Sequence, residues 1–409
     1  MPAHAPHTVV IGAGIVGACC ALELLARGHR VTLLEPHAPG GEQAASYGNG
    51  AWISPASVVP MSLPGLWRRL PSYLFSSTSP LTIHWRALPR LAPWLWRFFW
   101  AGASLAKVQR TAQALSALLH DAPQRHAALA SAANVPHLIK ASGLIYAYPD
   151  RAAFEADALA WQLRANNGVA WNLLTGEALR RAAPDLLPHY GFGVRVSAGA
   201  HCTNPGAYVA ALVALALQNG AVLAAQSATG FCFEGAQLKA VTTLDGDLPC
   251  DHAVVAAGIH SKALARAAGD AVCLESERGY HVELPQASIQ LPTPIMPSDG
   301  KMANTRCEYG VRAAGQVELC AVDAPPNWAS AKVLLHHLEQ SYGPQNTQGV
   351  RFWMGHRPST PHGLPMIQAS SRSPQVVYAF GHGHVGLAAA PATAQRVAAL
   401  FSHNEVNGV

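Results

Sequence analysis

Residues Thr8 to Glu35 read TVVIGAGIVGACCALELLARGHRVTLLE. His7 to Ile11 is short, apolar and β-branched, which predicts a buried strand. From Ile15 to Arg27 the apolar Val16, Cys20 and Leu24 share one helical face, and Gly28 stands just past the end, where a C-terminal cap belongs. Arg30 to Leu34 is a second strand, ended by Glu35. Strand, helix and strand in this order predict a right-handed βαβ unit in a parallel sheet.

The turn inside that unit is Gly12-Ala13-Gly14-Ile15-Val16-Gly17. A Gly-x-Gly-x-x-Gly sequence gains its meaning from context, here a preceding strand, a following helix, and Glu35 placed 21 residues after Gly14. Gly12 permits a tight turn, Gly14 lets backbone approach a pyrophosphate, and Gly17 lets helix and strand pack closely. First-turn N–H groups, those of Ile15 and Val16 included, point at the phosphates with the positive end of the helix dipole. Glu35 would accept hydrogen bonds from the adenosine ribose, and its charge disfavours a 2′-phosphate. The fingerprint alone does not separate FAD from NAD. A second glycine-containing element near the C-terminus, Gly381-His382-Gly383-His384-Val385-Gly386, and the lack of a second complete fingerprint favour the flavin.

The chain has 409 residues, room for two domains, and half of them are hydrophobic. Only 12% are charged, which excludes a disordered chain. The net charge of +5 is dispersed without a run of five or six basic residues, so no nucleic-acid partner is expected. Eight cysteines without a Cys-x-x-Cys pair indicate neither a disulfide framework nor a thiolate zinc site. His382 and His384 alone are too few ligands for a metal. The N-terminus runs almost directly into the glycine turn, leaving no place for a signal peptide, and a cytoplasmic location is expected. Leu88 to Leu105 carries Trp94, Trp96, Phe98, Phe99 and Trp100, but Arg90, Arg97 and a helix-breaking Pro93 deny it a membrane span. It reads as a buried or subunit-contacting helix, with peripheral contact at the inner membrane surface as the alternative.

Further on, Gly40 to Pro64 reads as extended loop and Pro89 to Ala133 as helical. Leu144 to Tyr148 is a strand, Arg151 to Ala165 a helix, and Asn204-Pro205 opens another helix to about Asn219. Ala221 to Ala225, Ala253 to Ala257 and Val376 to Phe380 are strands, Ala228 to Thr243 a hairpin, and Leu274 to Ala321 a run of short strands. The expected architecture is α/β: a Rossmann-like FAD-binding domain of the glutathione-reductase kind, assembled from residues 1–60, 200–272 and 350–409. An inserted α+β substrate domain on a large mixed sheet takes residues 61–199 and 273–349.

Several segments together resemble the D-amino-acid oxidase-like flavoproteins, most nearly their bacterial D-amino-acid dehydrogenase branch. They are Val9 to Gly17, Ser46-Tyr47-Gly48-Asn49-Gly50 with Ile53-Ser54-Pro55, Val254 to Gly258, Arg278-Gly279-Tyr280-His281, Trp353-Met354-Gly355-His356-Arg357-Pro358, and Phe380 to Gly386. The resemblance spans nearly the whole chain. It implies noncovalent FAD, with Ser46, Gly48 and Asn49 along the flavin, Ala257 and Gly258 near the adenosine and pyrophosphate, and Ala228 at the adenine edge through its backbone. It also implies hydride transfer from an amino-acid Cα to flavin N5, giving an imino acid that water converts to a 2-oxo acid and ammonia.

Reduced flavin gathers negative charge near N1 and O2, which the backbone of the Gly381 to Gly386 turn would stabilise. A substrate carboxylate calls for arginine, whose planar fork binds it bidentately. Arg306, Arg312, Arg278 and Arg357 are the candidates. Arg306 is favoured because related amine oxidases place such an arginine there. Tyr280 is expected to donate to the carboxylate and His356 to line the flavin. The partners expected are a small amino acid and an electron acceptor, whether quinone, dioxygen or a protein. A glycine, sarcosine, hydroxyproline or opine oxidase remains the alternative activity.

Overall fold

The computed structural model describes residues 5–66 and 81–406. The N-terminal unit forms as predicted, with strand His7–Ile11, helix Ile15–Ala26 and strand Arg30–Leu34. These strands pair in parallel, Val9 opposite Thr32. They belong to a six-stranded sheet ordered Val222–Ala224, Arg30–Leu34, His7–Ile11, His252–Val255, Val376–Phe380, Met366–Ala369. All neighbours are parallel except the last pair. Gly12, Glu35, Ala256 and Gly381 therefore all leave the carboxyl ends of adjacent strands, the edge where open α/β sheets bind ligands. Ile11 and Phe380 end strands two places apart, a separation of roughly 10 Å at the usual strand spacing.

Helix Ile15–Ala26 is buried against helices Pro205–Gln218 and Gly386–Val406, in a core that includes Cys20, Leu24, Leu212, Val397 and Phe401. The predicted hairpin gains a third strand, Gly246–Pro249, and forms an antiparallel meander.

The second large sheet has nine strands. At one end Glu275–Leu284 is flanked antiparallel by Gly310–Leu319 and Arg351–Ser359. All ten residues of Glu275–Leu284 are buried, because both faces are covered. Tyr280, Val282 and Leu284 pack with Leu334 and Leu338 of helix Trp328–Tyr342. Glu277, Gly279 and His281 alternate to the opposite face, toward the carboxyl edge of the first sheet. The space between the two sheets is the cleft.

The structure departs from the sequence reading in five places. Strand Arg351–Ser359, assigned to the nucleotide-binding pieces, completes the nine-stranded sheet instead. Leu115, Leu118, Leu119, Ala122 and Ala130, assigned to the substrate domain, bury themselves in the core of the nucleotide sheet's helices. The loop from Gly40 contains a short strand, Trp52–Ile53, and the helix from Arg151 breaks at Asp157 into two. Pro93 does not interrupt helix Leu88–Ala101. Pro93 and Pro89 are both exposed, so the carbonyl deprived of its N–H partner belongs to an exposed residue rather than to a dry core.

Candidate active site

The glycine turn is built as its spacing demands. Gly12 sits at φ +103°, and an added Cβ would lie 2.6 Å from the carbonyl oxygen of Ala256. A Cβ on Gly17 would lie 1.8 Å from the Gly12 carbonyl oxygen. At Gly14 a Cβ would meet only Ser46 Oγ, at 3.5 Å, which leaves the open approach a pyrophosphate needs. No side chain caps the helix at Gly14. Ile15 N donates to Ser46 Oγ at 3.1 Å and so docks the following loop onto the helix start, beside Val16. Glu35 is held by the N–H groups of Ala13 (3.1 Å) and His37 (3.3 Å). Gly258, at φ +57°, has nothing within 4 Å of a would-be Cβ, while Ala257 precedes it at the end of the neighbouring strand. Ala228 opens the meander just beyond the edge strand Val222–Ala224. These residues fit the ADP half of FAD.

At the other end, Gly381 and Gly383 hold φ values of +87° and +54°, and the turn Gly383–Val385 feeds Gly386 into the last helix. His382 is anchored inside, its Nε2 2.9 Å from Thr393 Oγ1, and burial pushes its pKa down to about 4. His384 opens onto the cleft, yet loss of water around its ring and the charge of Arg357 also push it to about 4. An antiparallel bridge between Ser359 and His382 ties the two sheets together here.

The loop expected along the flavin is pinned to the second sheet. Arg312 donates from Nη1 to the carbonyls of Tyr47 (3.0 Å) and Asn49 (3.1 Å), and from Nη2 to Glu283 (3.2 Å). His281 Nδ1 lies 3.2 Å from the carbonyl oxygen of Gly48, its ring stacked on Trp353 at 5.2 Å. Gly48 must be glycine, since a Cβ would fall 2.0 Å from the Trp353 ring. The Asn49 side chain turns back to accept from Ala51 N at 2.8 Å.

The arginines separate by strand face. Arg278 is wholly buried on the helix side, ion-paired with Glu318 and donating to the carbonyls of Ala321, Val322, Ala324 and Pro325. Tyr280 is on that side too, its hydroxyl donating to Glu318 and accepting from Asn327 N, and burial pushes it up to about 12. His356 stands opposite Arg278 and bonds Ser276 through Nδ1 at 2.8 Å. Arg306 stands opposite Val311, donates to Ile289 O at 3.3 Å and borders a surface groove with Lys140, His201 and Gln290. Tyr280, His356 and Arg306 thus stand on the strand face away from Glu277, and none of them is among the residues lining the cleft beside it. The reason in each case is the two-residue alternation of the strand.

Arg357 is the exception. It stands opposite Glu277 on the cleft face and lies across Gly279, where a Cβ would be 2.3 Å from its guanidinium carbon. Nη1 and Nη2 donate to the carbonyls of Gln316 (2.7 Å) and Gly315 (3.2 Å), which fixes the guanidinium across the strand. Glu277, Ser359, Thr360, His362 and His384 share the cleft wall, with Phe98 and Leu115 among the apolar residues across from them. The sequence reading passed over Glu277. Its signal was a carboxylate in a strand with both faces covered, two residues before a glycine of a recognised motif. Among the described residues, His84, Glu318 and Cys320 could together hold a metal. Glu318, however, already serves Arg278 and Tyr280.

A cleft bounded by a parallel sheet with a dinucleotide fingerprint on one side and an arginine-bearing mixed sheet on the other is the setting of a flavin-dependent oxidoreductase. The chain belongs to the DAO family of FAD-dependent oxidoreductases, which it matches over residues 7–400. It is 47% identical to a D-amino-acid oxidase of Bradyrhizobium diazoefficiens, over 97% of this chain and 95% of that one. It is 25% identical to a D-amino acid dehydrogenase of Agrobacterium fabrum, over 98% and 96% of the two chains. The fold matches that of glycine oxidase from Bacillus cereus with a TM-score of 0.70 at 17% identity, covering 98% of this chain and 95% of that structure.

Proposed function

We propose that the protein oxidatively deaminates small D-amino acids, with Arg357 holding the substrate carboxylate. The observation that carries this reading is that Arg357 stands in register opposite the cleft-lining Glu277 and lies near enough to His384 for its charge to lower that imidazole's pKa. The 47%-identical relative supports the D configuration. Bound FAD supplies the hydride acceptor, and the residues Gly12, Gly14, Gly17, Glu35, Ser46 and Gly258 would hold its ADP half. The chain's own contribution is orientation. Arg357 fixes the carboxylate, the covered sheet face excludes water, and the imino acid leaves to be hydrolysed to a 2-oxo acid and ammonia. Arg357→Lys keeps the charge but loses the fork, and should raise KM for a D-amino acid about tenfold or more while FAD stays bound. Unchanged kinetics would remove the assignment.

Peripheral contact with an anionic membrane surface is favoured by a separate observation. Trp85, Trp96 and Trp100 are 67%, 72% and 61% exposed. Between Glu42 and Asp121 the sequence contains no acidic residue, while Arg86, Arg97 and Arg110 are exposed. Aromatic and basic groups side by side suit the headgroup region. Among the described residues no helix is long and apolar enough to cross a membrane. Such a contact would put a quinone within reach as electron acceptor.

A further inference from the structure

Carboxylates in the cleft-side sheet are, with one exception, neutralised by a cation. Glu275 pairs with Arg90 at 2.8 Å and Lys262 at 2.7 Å. Glu283 pairs with Arg312, and Glu318 with Arg278. Glu277 is only 7% exposed and among the described residues has no ion pair within 4 Å, the charge of Arg357 acting on it from farther away. Leaving a carboxylate buried without a cation is costly unless something else supplies the charge.

Its surroundings indicate what that is. Glu277 stands directly opposite Arg357 in the strand register, and directly opposed side chains have Cβ atoms about 5 Å apart. Glu277, His384 and the Ser359 hydroxyl line the same cleft. An α-amino acid carries its two charges on neighbouring atoms of one carbon. A carboxylate seated on Arg357 puts the ammonium group within reach of Glu277.

We propose that Glu277 binds the substrate's ammonium group and takes a proton from it, leaving the neutral amine from which hydride can depart. This assignment rests on the Arg357 reading above. In the step, one N–H bond breaks and its electron pair stays on nitrogen, while the proton joins a Glu277 carboxylate oxygen. With the nitrogen pair free to form C=N, the Cα–H bond could break with its electron pair passing to the hydride acceptor that bound FAD would supply. Burial raises the Glu277 pKa above its ordinary value, which makes it a better proton acceptor, while Arg357 and a hydrogen bond from Ser359 oppose that rise. Other titratable groups facing this space are His362, His382 and His384, each held below its usual pKa by burial and so neutral near pH 7.

The test uses the FAD-loaded enzyme and Glu277→Gln, with Glu277→Asp as the conservative variant. Anaerobic flavin reduction by a small neutral D-amino acid is followed across pH, and propionate, which lacks the amine, is titrated by its perturbation of the flavin spectrum. In Glu277→Gln the second-order reduction rate should fall about 10²–10⁴-fold at neutral pH. The deficit should shrink as pH rises toward the substrate's ammonium pKa, because the neutral amine then arrives ready made. Glu277→Asp should recover part of the rate, and propionate should bind Glu277→Gln no more weakly than wild type. A deficit of the same size at every pH would overturn the proposal, as would an unaltered profile. Lost propionate or FAD binding would do so too, by making Glu277 a structural counter-charge. If no amino acid reduces the wild-type flavin, the Arg357 reading fails instead.

Discussion

Arg357 lies over Gly279, so close that a methyl group on that glycine would sit 2.3 Å from the guanidinium carbon. The strand carrying one is the register partner of the strand carrying the other. Gly279→Ala should therefore push the fork off its seat on Gln316 and Gly315. The expected result is a KM for D-amino acids raised about tenfold or more, with FAD content retained. Equal substrate kinetics in the variant would show that the fork's position is immaterial.

The glycine turn makes a contrast that can be measured. Gly17→Ala drives a Cβ into the Gly12 carbonyl at 1.8 Å, so the turn must open. Gly14→Ala meets only the Ser46 hydroxyl at 3.5 Å. The first should purify largely free of FAD. The second should fold with unchanged far-ultraviolet circular dichroism but hold FAD more weakly, because the new methyl stands in the pyrophosphate approach. Full FAD occupancy in both would detach the turn from the cofactor.

Arg312 is a structural rather than a substrate residue. Both it and Glu283 are 3% exposed in their side chains. Removing the cation leaves a buried carboxylate and frees the Tyr47 and Asn49 carbonyls, which should cost ~3–5 kcal/mol of stability. Denaturant unfolding of Arg312→Met is the check, and a loss confined to KM would place Arg312 at the substrate.

Acid should weaken the fold through its buried imidazoles. His126 lies between the Tyr208 hydroxyl and the Leu387 carbonyl, and burial lowers its pKa from 6.5 to about 4. A depressed pKa means the unfolded chain binds the proton more readily. The stability His126 contributes is complete above about pH 6.5 and drains away as pH falls toward 4. Urea midpoints at pH 7 and pH 5 should differ less in His126→Gln than in wild type.

The exposed tryptophans supply a prediction at the surface. Trp96 and Trp100 stack on one another, and Lys107 Nζ lies 3.8 Å from the centre of the Trp100 ring. The double variant Trp96→Ser, Trp100→Ser should lose most sedimentation with phosphatidylglycerol-containing vesicles and keep its flavin reduction rate. Equal sedimentation of both proteins would end the membrane reading.

What the sequence disclosed was local. The strand, turn, helix and strand around Gly12, Gly14, Gly17 and Glu35 were legible because they are written within one short stretch. The His-Gly-His turn was legible as a turn because strand Val376–Phe380 leads straight into it. The substrate side was not local. Arg306, His356 and Tyr280 each sit one strand position away from the cleft face, and a shift of one residue reverses a side chain's direction. Which face was inward depended on helix Trp328–Tyr342 covering the other, and on the irregular register between Arg278 and Tyr280. Pairing between segments so distant in the chain leaves no spacing signature.

The most direct measurement is anaerobic titration of the purified holoenzyme with D- and L-alanine in parallel, following the oxidised flavin absorbance. The account predicts that the D enantiomer bleaches the flavin and yields pyruvate and ammonia in equal amounts, while the L enantiomer leaves the spectrum intact. Bleaching by the L enantiomer alone, or by no amino acid in a wider D panel, would contradict it.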